Sequence, residues 1–170
     1  MRTKDEVIVE RLKNSSEYRY LRFSLLGCYS FLSGMLILTL ISLLFKLLLN
    51  TQGWNNFFYV CLVAFIASLS LIFFVVYYNI RLSGMTNKSK DYKKQTIRIE
   101  TTKTSMHRTL CTFDYIVDGQ NKTGKALAFR IAMPEFSSVI VENGQIEIAI
   151  NDKGRIVILG APKEDDEYEI

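Results

Sequence analysis

Two long apolar stretches dominate the pattern of the chain. Residues 25–49 carry a single charge, Lys46, and residues 57–80 carry none. At about 1.5 Å rise per residue, each helix would reach roughly 36 Å, against a hydrocarbon core of about 30 Å. Apolar runs in buried core helices are shorter, about 10–14 residues. The pattern therefore predicts a two-helix transmembrane hairpin over 25–80, closed by a short polar outer loop at 50–56. A cleaved signal peptide is the competing reading of the first stretch. Its apolar region would be only about 7–15 residues with a small-residue cleavage site after it, whereas this run ends in Phe45-Lys46-Leu47-Leu48-Leu49. We read it as an anchor.

After the second stretch the period changes. Residues 81–94 are polar and basic and read as a linker. From residue 95 onward, apolar and polar positions alternate, partly over 110–117 and cleanly in Gln145-Ile146-Glu147-Ile148-Ala149-Ile150, the period-two mark of strands with one buried face. Asp118-Gly119, Asn143-Gly144 and Asp152-Lys153-Gly154 fall between the runs and tolerate the positive φ of tight turns. Five or six short strands over 95–161 would form a small antiparallel β-barrel or sandwich of OB or SH3-like size, which limits exposed strand edges. The fold class expected is thus an α+β membrane protein, the hairpin followed by this β domain in the cytoplasm.

Lys and Arg near the helix ends set the orientation. Arg2, Lys4, Arg11, Lys13, Arg19 and Arg22 precede the first stretch; Arg81, Lys88, Lys90, Lys93 and Lys94 follow the second; only Lys46 lies toward the loop. This places both termini in the cytoplasm of a multi-pass protein of the inner membrane. Trp54 and Lys46 would mark the outer interface, with Tyr77, Tyr78 and Arg81 at the inner one. Residues 1–24 form a cytoplasmic segment, either a short helix using Val7, Ile8, Arg11 and Leu12 against the inner leaflet or a solvated lead-in. Residues 162–170 form an acidic tail, solvating or docking on a basic partner through Glu164, Asp165, Asp166 and Glu167.

Small residues recur at helical spacing on both stretches: Gly27, Ser30 and Gly34 on the first, Ala64, Ala67 and Ser68 on the second. Such faces let backbones approach closely in lipid. They either join the two helices of one hairpin or meet another protein.

Composition adds little chemistry. The 170 residues hold three Cys and one His, His107. A two-His metal site within one chain is excluded, and His107 with Cys111 makes only half of a zinc site. No phosphate loop, nucleophile elbow or Cys-x-x-Cys is present, so no catalytic residue, metal or cofactor is assigned and no small-molecule substrate is inferred. Nucleic-acid binding would need exposed aromatics beside clustered bases. The β domain needs its aromatics for its core, and its basic surface suits the inner leaflet better.

The layout, with the turns Val117-Asp118-Gly119-Gln120 and Glu142-Asn143-Gly144-Gln145-Ile146, resembles the NfeD-type and other bacterial small-barrel membrane proteins. That resemblance implies an architecture and brings no functional residue with it. The function expected is a non-enzymatic, membrane-anchored interaction module, an accessory or immunity-type subunit that recruits or caps a protein partner. The alternative is a homo-oligomeric channel or pore-forming subunit with a cytoplasmic β ring. The lipid bilayer and a protein partner or further copies of the chain are its expected contacts, with no nucleic acid.

Overall fold

The computed structural model describes residues 4–49, 51–87, 91–106, 108–117, 119–129 and 140–162. Helices α1 (Lys4–Asn14), α2 (Ser16–Leu49), α3 (Gln52–Ser68) and α4 (Leu71–Asn87) precede strands β1 (Tyr92–Thr104), β2 (Arg108–Val117), β3 (Gln120–Phe129), β4 (Gln145–Asn151) and β5 (Ile156–Gly160). The chain divides into two compact units, Arg22–Arg81 and the flanking stretches Met1–Leu21 and Leu82–Ile170.

The first unit is the hairpin. Its two helical arms, Ser16–Leu49 and Gln52–Asn87, are long and apolar enough to cross a membrane, and only 11% of the most apolar window of each is buried. That exposure is the opposite of what a core helix of a soluble fold shows. The arms are antiparallel: the Phe45 ring stacks on Trp54 at 4.6 Å, the Thr39 hydroxyl reaches the Cys61 carbonyl at 3.4 Å, and the Asn79 amide donates to the Tyr29 hydroxyl at 3.2 Å. The second arm is interrupted at Leu69–Ser70. Ser68 and Ser70 donate back to the carbonyls of Phe65 (2.6 Å) and Ala67 (2.9 Å), and such bonds compete with the helical ladder and bend it.

The helices outrun the apolar stretches. The loop expected at 50–56 contracts because α3 begins at Gln52 with Thr51 in extended conformation ahead of it (φ −94°, ψ 153°). Apolar limits report what lipid would cover, whereas a helix continues for as long as its own ladder is satisfied.

The second unit is a five-stranded antiparallel sheet in the order β3-β2-β1-β4-β5. Ile97, Ile99, Cys111, Phe113, Ala126, Ala128, Ile146, Ile148, Ile150 and Ile158 fill its concave face, as the period-two pattern requires. Turn chemistry follows the sequence where it is described: Gly119, Asn143 and Gly154 all have positive φ, at 76°, 66° and 74°. Two bulges curl the sheet. One places Glu100 as an extra residue on β1, and the other places Leu159 as an extra residue on β5 ahead of Gly160, whose φ is 122°.

The sheet is a curled half-barrel rather than the closed barrel or sandwich expected. Among the described residues β3 and β5, its two edges, share no hydrogen-bonded pairing. They meet through side chains at Gly124, where an added Cβ would lie 2.8 Å from Ile156 Cδ1 and 2.7 Å from Tyr115 Cε1. With β5 only five residues long and the Ile156 side chain filling the gap, the edges touch without a ladder.

The linker expected over 81–94 also gives way. Thr86 bonds back to Leu82 at 3.2 Å within α4 and Met85 is fully buried, while Tyr92, Lys93 and Lys94 already pair with Asn151, Ile150 and Ala149. Residues 88–90 lie outside the described residues.

Candidate functional site

The N-terminal segment belongs to the β unit, against the sheet rather than free of it. Leu12 is fully buried, and Arg11 pairs with Glu147 while donating to the Ala161 carbonyl at 3.3 Å. Ser15 caps α2 by accepting from Tyr18 N–H at 3.3 Å. Beyond that cap, Ser16 accepts from Phe129 N–H at 3.3 Å, Glu17 pairs with Arg155 at 2.7 Å, and Tyr20 stacks on Phe129 at 4.2 Å. This docking explains why β4 is buried on both faces from Ile146 to Ile150 although its sequence alternates. Ile146, Ile148 and Ile150 face the core; Glu147, on the other face, is 2% exposed and held between Arg11 and Lys94, the latter at 2.9 Å. A buried carboxylate persists only with such partners. The missed signal was a lone Glu within an isoleucine strand.

In the hairpin, the seam consists of Thr39, Ser42, Cys61, Ser68 and Val75, all buried. Of the six small residues singled out from the sequence, Ser68 alone lies there. Gly27, Ser30, Gly34, Ala64 and Ala67 are exposed, and a Cβ built on Gly27 or Gly34 meets nothing within 4 Å. The seam hydroxyls are satisfied locally: Thr39 on Met35 O at 2.8 Å and Ser42 on Thr39 O at 2.8 Å.

The residues expected at the membrane interfaces fall into two groups, Lys46 and Trp54 near the turn between the arms and Tyr77, Tyr78 and Arg81 in the later part of the second arm. Lys46 lies over the rings of Phe58 and Tyr59, at 4.6 and 4.5 Å, beside the Trp54–Phe45 stack. Tyr77 and Tyr78 pack edge-to-face at 5.6 Å, with the Arg81 guanidinium 5.7 Å from the Tyr77 ring.

Cys111 is fully buried in the core, and burial pushes its thiol up to about 11. His107 lies outside the described residues, as do Glu164, Asp165, Asp166 and Glu167 of the tail. Among the described residues no group of three or more metal-ligating side chains occurs.

A cavity of about 520 Å³ opens at one end of the half-barrel, lined by Lys93, Gln95, Tyr115, Lys122, Ile150 and Asp152 among others. Sequence reading placed Lys93 in a linker and so missed it.

Fold and sites together define a class: two helices long and apolar enough to cross a membrane, joined to a curled antiparallel sheet that also holds the N-terminal helix. Compared with protein-family models, curated proteins and solved structures, the chain matches none.

Proposed function

We propose that the chain is a non-enzymatic, membrane-anchored interaction module. In this reading the hairpin is embedded in the inner membrane, both termini face the cytoplasm, and the β unit recruits or caps a protein partner there. Orientation rests on the charge asymmetry, eleven Lys and Arg flanking the spans against Lys46 alone toward the loop. The observation that carries the interaction is the outer face of the first arm. Gly27, Ser30 and Gly34 lie on one side of α2 with open space around them, and the hairpin seam uses none of them. A small-residue face left outside its own hairpin is suited to a second helix.

The same face suits a ring of identical chains, the second reading. A pore needs a polar lining, yet Thr39, Ser42 and Ser68 turn into the seam and leave Ser30, Ser33 and Ser70 outside. The accessory-subunit reading is therefore the one we favour.

Mild crosslinking of intact membranes, followed by gentle detergent extraction and native mass measurement, tests it. A complex containing a different chain, lost when Gly27 and Gly34 are replaced by Leu and weakened when the β unit is removed, is the expected result. A single species at a whole multiple of 19.6 kDa would replace it with the ring.

A further inference from the structure

The inward series of two strands ends in lysine. On β1 the residues facing the concave side run Lys93, Gln95, Ile97, Ile99, and on β3 they run Lys122, Gly124, Ala126, Ala128; the later members of both series are core and the first are exposed. Period two would place apolar residues at both positions if the half-barrel were filled to its end. The cavity exists because β1 leaves β2: their ladder stops at Ile99–Phe113, while β1 continues along β4 back to Tyr92. Across the resulting gap the Gln95 side chain reaches β2, accepting from Ile116 N–H at 3.3 Å. The small residues of β3 leave the interior wide, and Tyr115 and Ile150 form its apolar floor.

The polar groups around this mouth are unequally occupied. Asn151 spends its side-chain oxygen on Lys153 N–H (3.1 Å) and Arg155 N–H (2.8 Å), holding the β4–β5 turn. Lys94 pairs with Glu147, which also holds Arg11. Among the described residues neither Lys93 nor Lys122 forms an ion pair. Among the described lining residues Asp152 is the one acid, exposed in the turn, and it forms no ion pair with Lys93 or Lys122.

We propose that this mouth binds a phosphate group between the Lys93 and Lys122 ammoniums, with Tyr115 and Ile150 beneath whatever carries the phosphate. Lysine is a point-charge donor suited to phosphate oxygens, and a concave site with an apolar floor is the usual form of a small-ligand pocket. Two sources present this chemistry: a phospholipid headgroup and a soluble phosphate. Lys93 follows Asn87, the last residue of α4, by six positions in the chain, which favours the headgroup. That preference rests on the membrane reading above, while the phosphate chemistry does not.

The test uses the full chain in neutral detergent, titrated calorimetrically with inorganic phosphate and, separately, with dihexanoyl phosphatidylglycerol below its micelle concentration. Lys93→Gln with Lys122→Gln should weaken binding about tenfold or more. Lys103→Gln with Lys125→Gln removes the same charge from exposed positions outside the cavity and should leave binding within about twofold. Binding of the lipid alone assigns the headgroup; equal binding of both probes assigns a soluble phosphate. Absence of binding by either probe, or equal losses in the two double variants, overturns the site. Lysine-dependent phosphate binding by a chain that fractionates as a soluble protein would keep the site and reject the membrane reading.

Discussion

Arg11 and Glu147, 136 positions apart, form a buried ion pair that fastens α1 to the face of β4 turned away from the core. Glu147 meets Lys94 with its other oxygen at 2.9 Å, so one carboxylate joins the N-terminal helix, the first strand and the fourth. Removing Arg11 leaves the buried Glu147 oxygen that it met without a donor and the carboxylate held by Lys94 alone, a more exposed partner, so the loss exceeds what an exposed pair would contribute. Arg11→Ala should destabilise the β unit by about 2–4 kcal/mol. Arg11→Met combined with Glu147→Leu should recover much of that loss, since a well-packed apolar pair needs no compensation. Denaturant unfolding of the full chain in detergent checks both.

Gly124 is where the half-barrel draws its edges together. A Cβ there would stand 2.7 Å from the Tyr115 ring and 2.8 Å from Ile156. The Ile156 end can rotate away, but the ring lies beside Phe113 in the core (6.4 Å between centroids) and has less room. Gly124→Ala should cost about 1–2 kcal/mol by overpacking, and Gly124→Val more. Loss of β3 amide protection in hydrogen exchange, with β4 unaffected, is the expected local signature.

Cys111 should be inert toward alkylation in the folded chain. Its thiol, pushed up to about 11 by burial, stays protonated at pH 8 and has no solvent access. Because the folded value lies above the unfolded 9.0, this group's contribution to stability is complete below pH 9 and is lost as pH rises through about 11. Iodoacetamide labelling followed by mass spectrometry should modify Cys111 at pH 8 only when denaturant is present. Alkaline titration should lower the unfolding midpoint of the wild type across pH 9–11 more steeply than that of Cys111→Ala.

What was legible in the sequence was whatever a single element reports about its own surroundings. The two apolar runs, the inward Ile97, Ile99, Ile146 and Ile148, and the turns at Gly119, Asn143 and Gly154 all carry their environment in local pattern. Relations between distant elements do not leave that trace. Glu147 alternates like an outward-facing residue and becomes buried only because Arg11 and Leu12 arrive from the far end of the chain. Lys93 reads as linker until its pairing with Ile150 makes it the first inward position of β1. The exposed small-residue face illustrates the same limit: Gly27, Ser30 and Gly34 share a face by spacing, while the seam runs through Thr39, Ser42 and Cys61, whose own helical spacing does not say which face meets the other arm.

Orientation is the part of the functional reading that a single label decides. Met106, at the tip between β1 and β2, is 85% exposed and far in sequence from both spans, so Met106→Cys places a reactive thiol without disturbing packing. With Cys28 and Cys61 replaced by Ser and Cys111 left in place, the new thiol is the one accessible target. Eleven basic residues flanking the spans against one toward the loop predict that a membrane-impermeant maleimide labels it in inside-out vesicles and fails to label it in intact spheroplasts. Thr51→Cys in the same background, at the exposed start of α3, should show the reverse pattern. Labelling of Met106→Cys from outside would invert the topology and move the β unit, with its lysine-rimmed mouth, to the other side of the membrane.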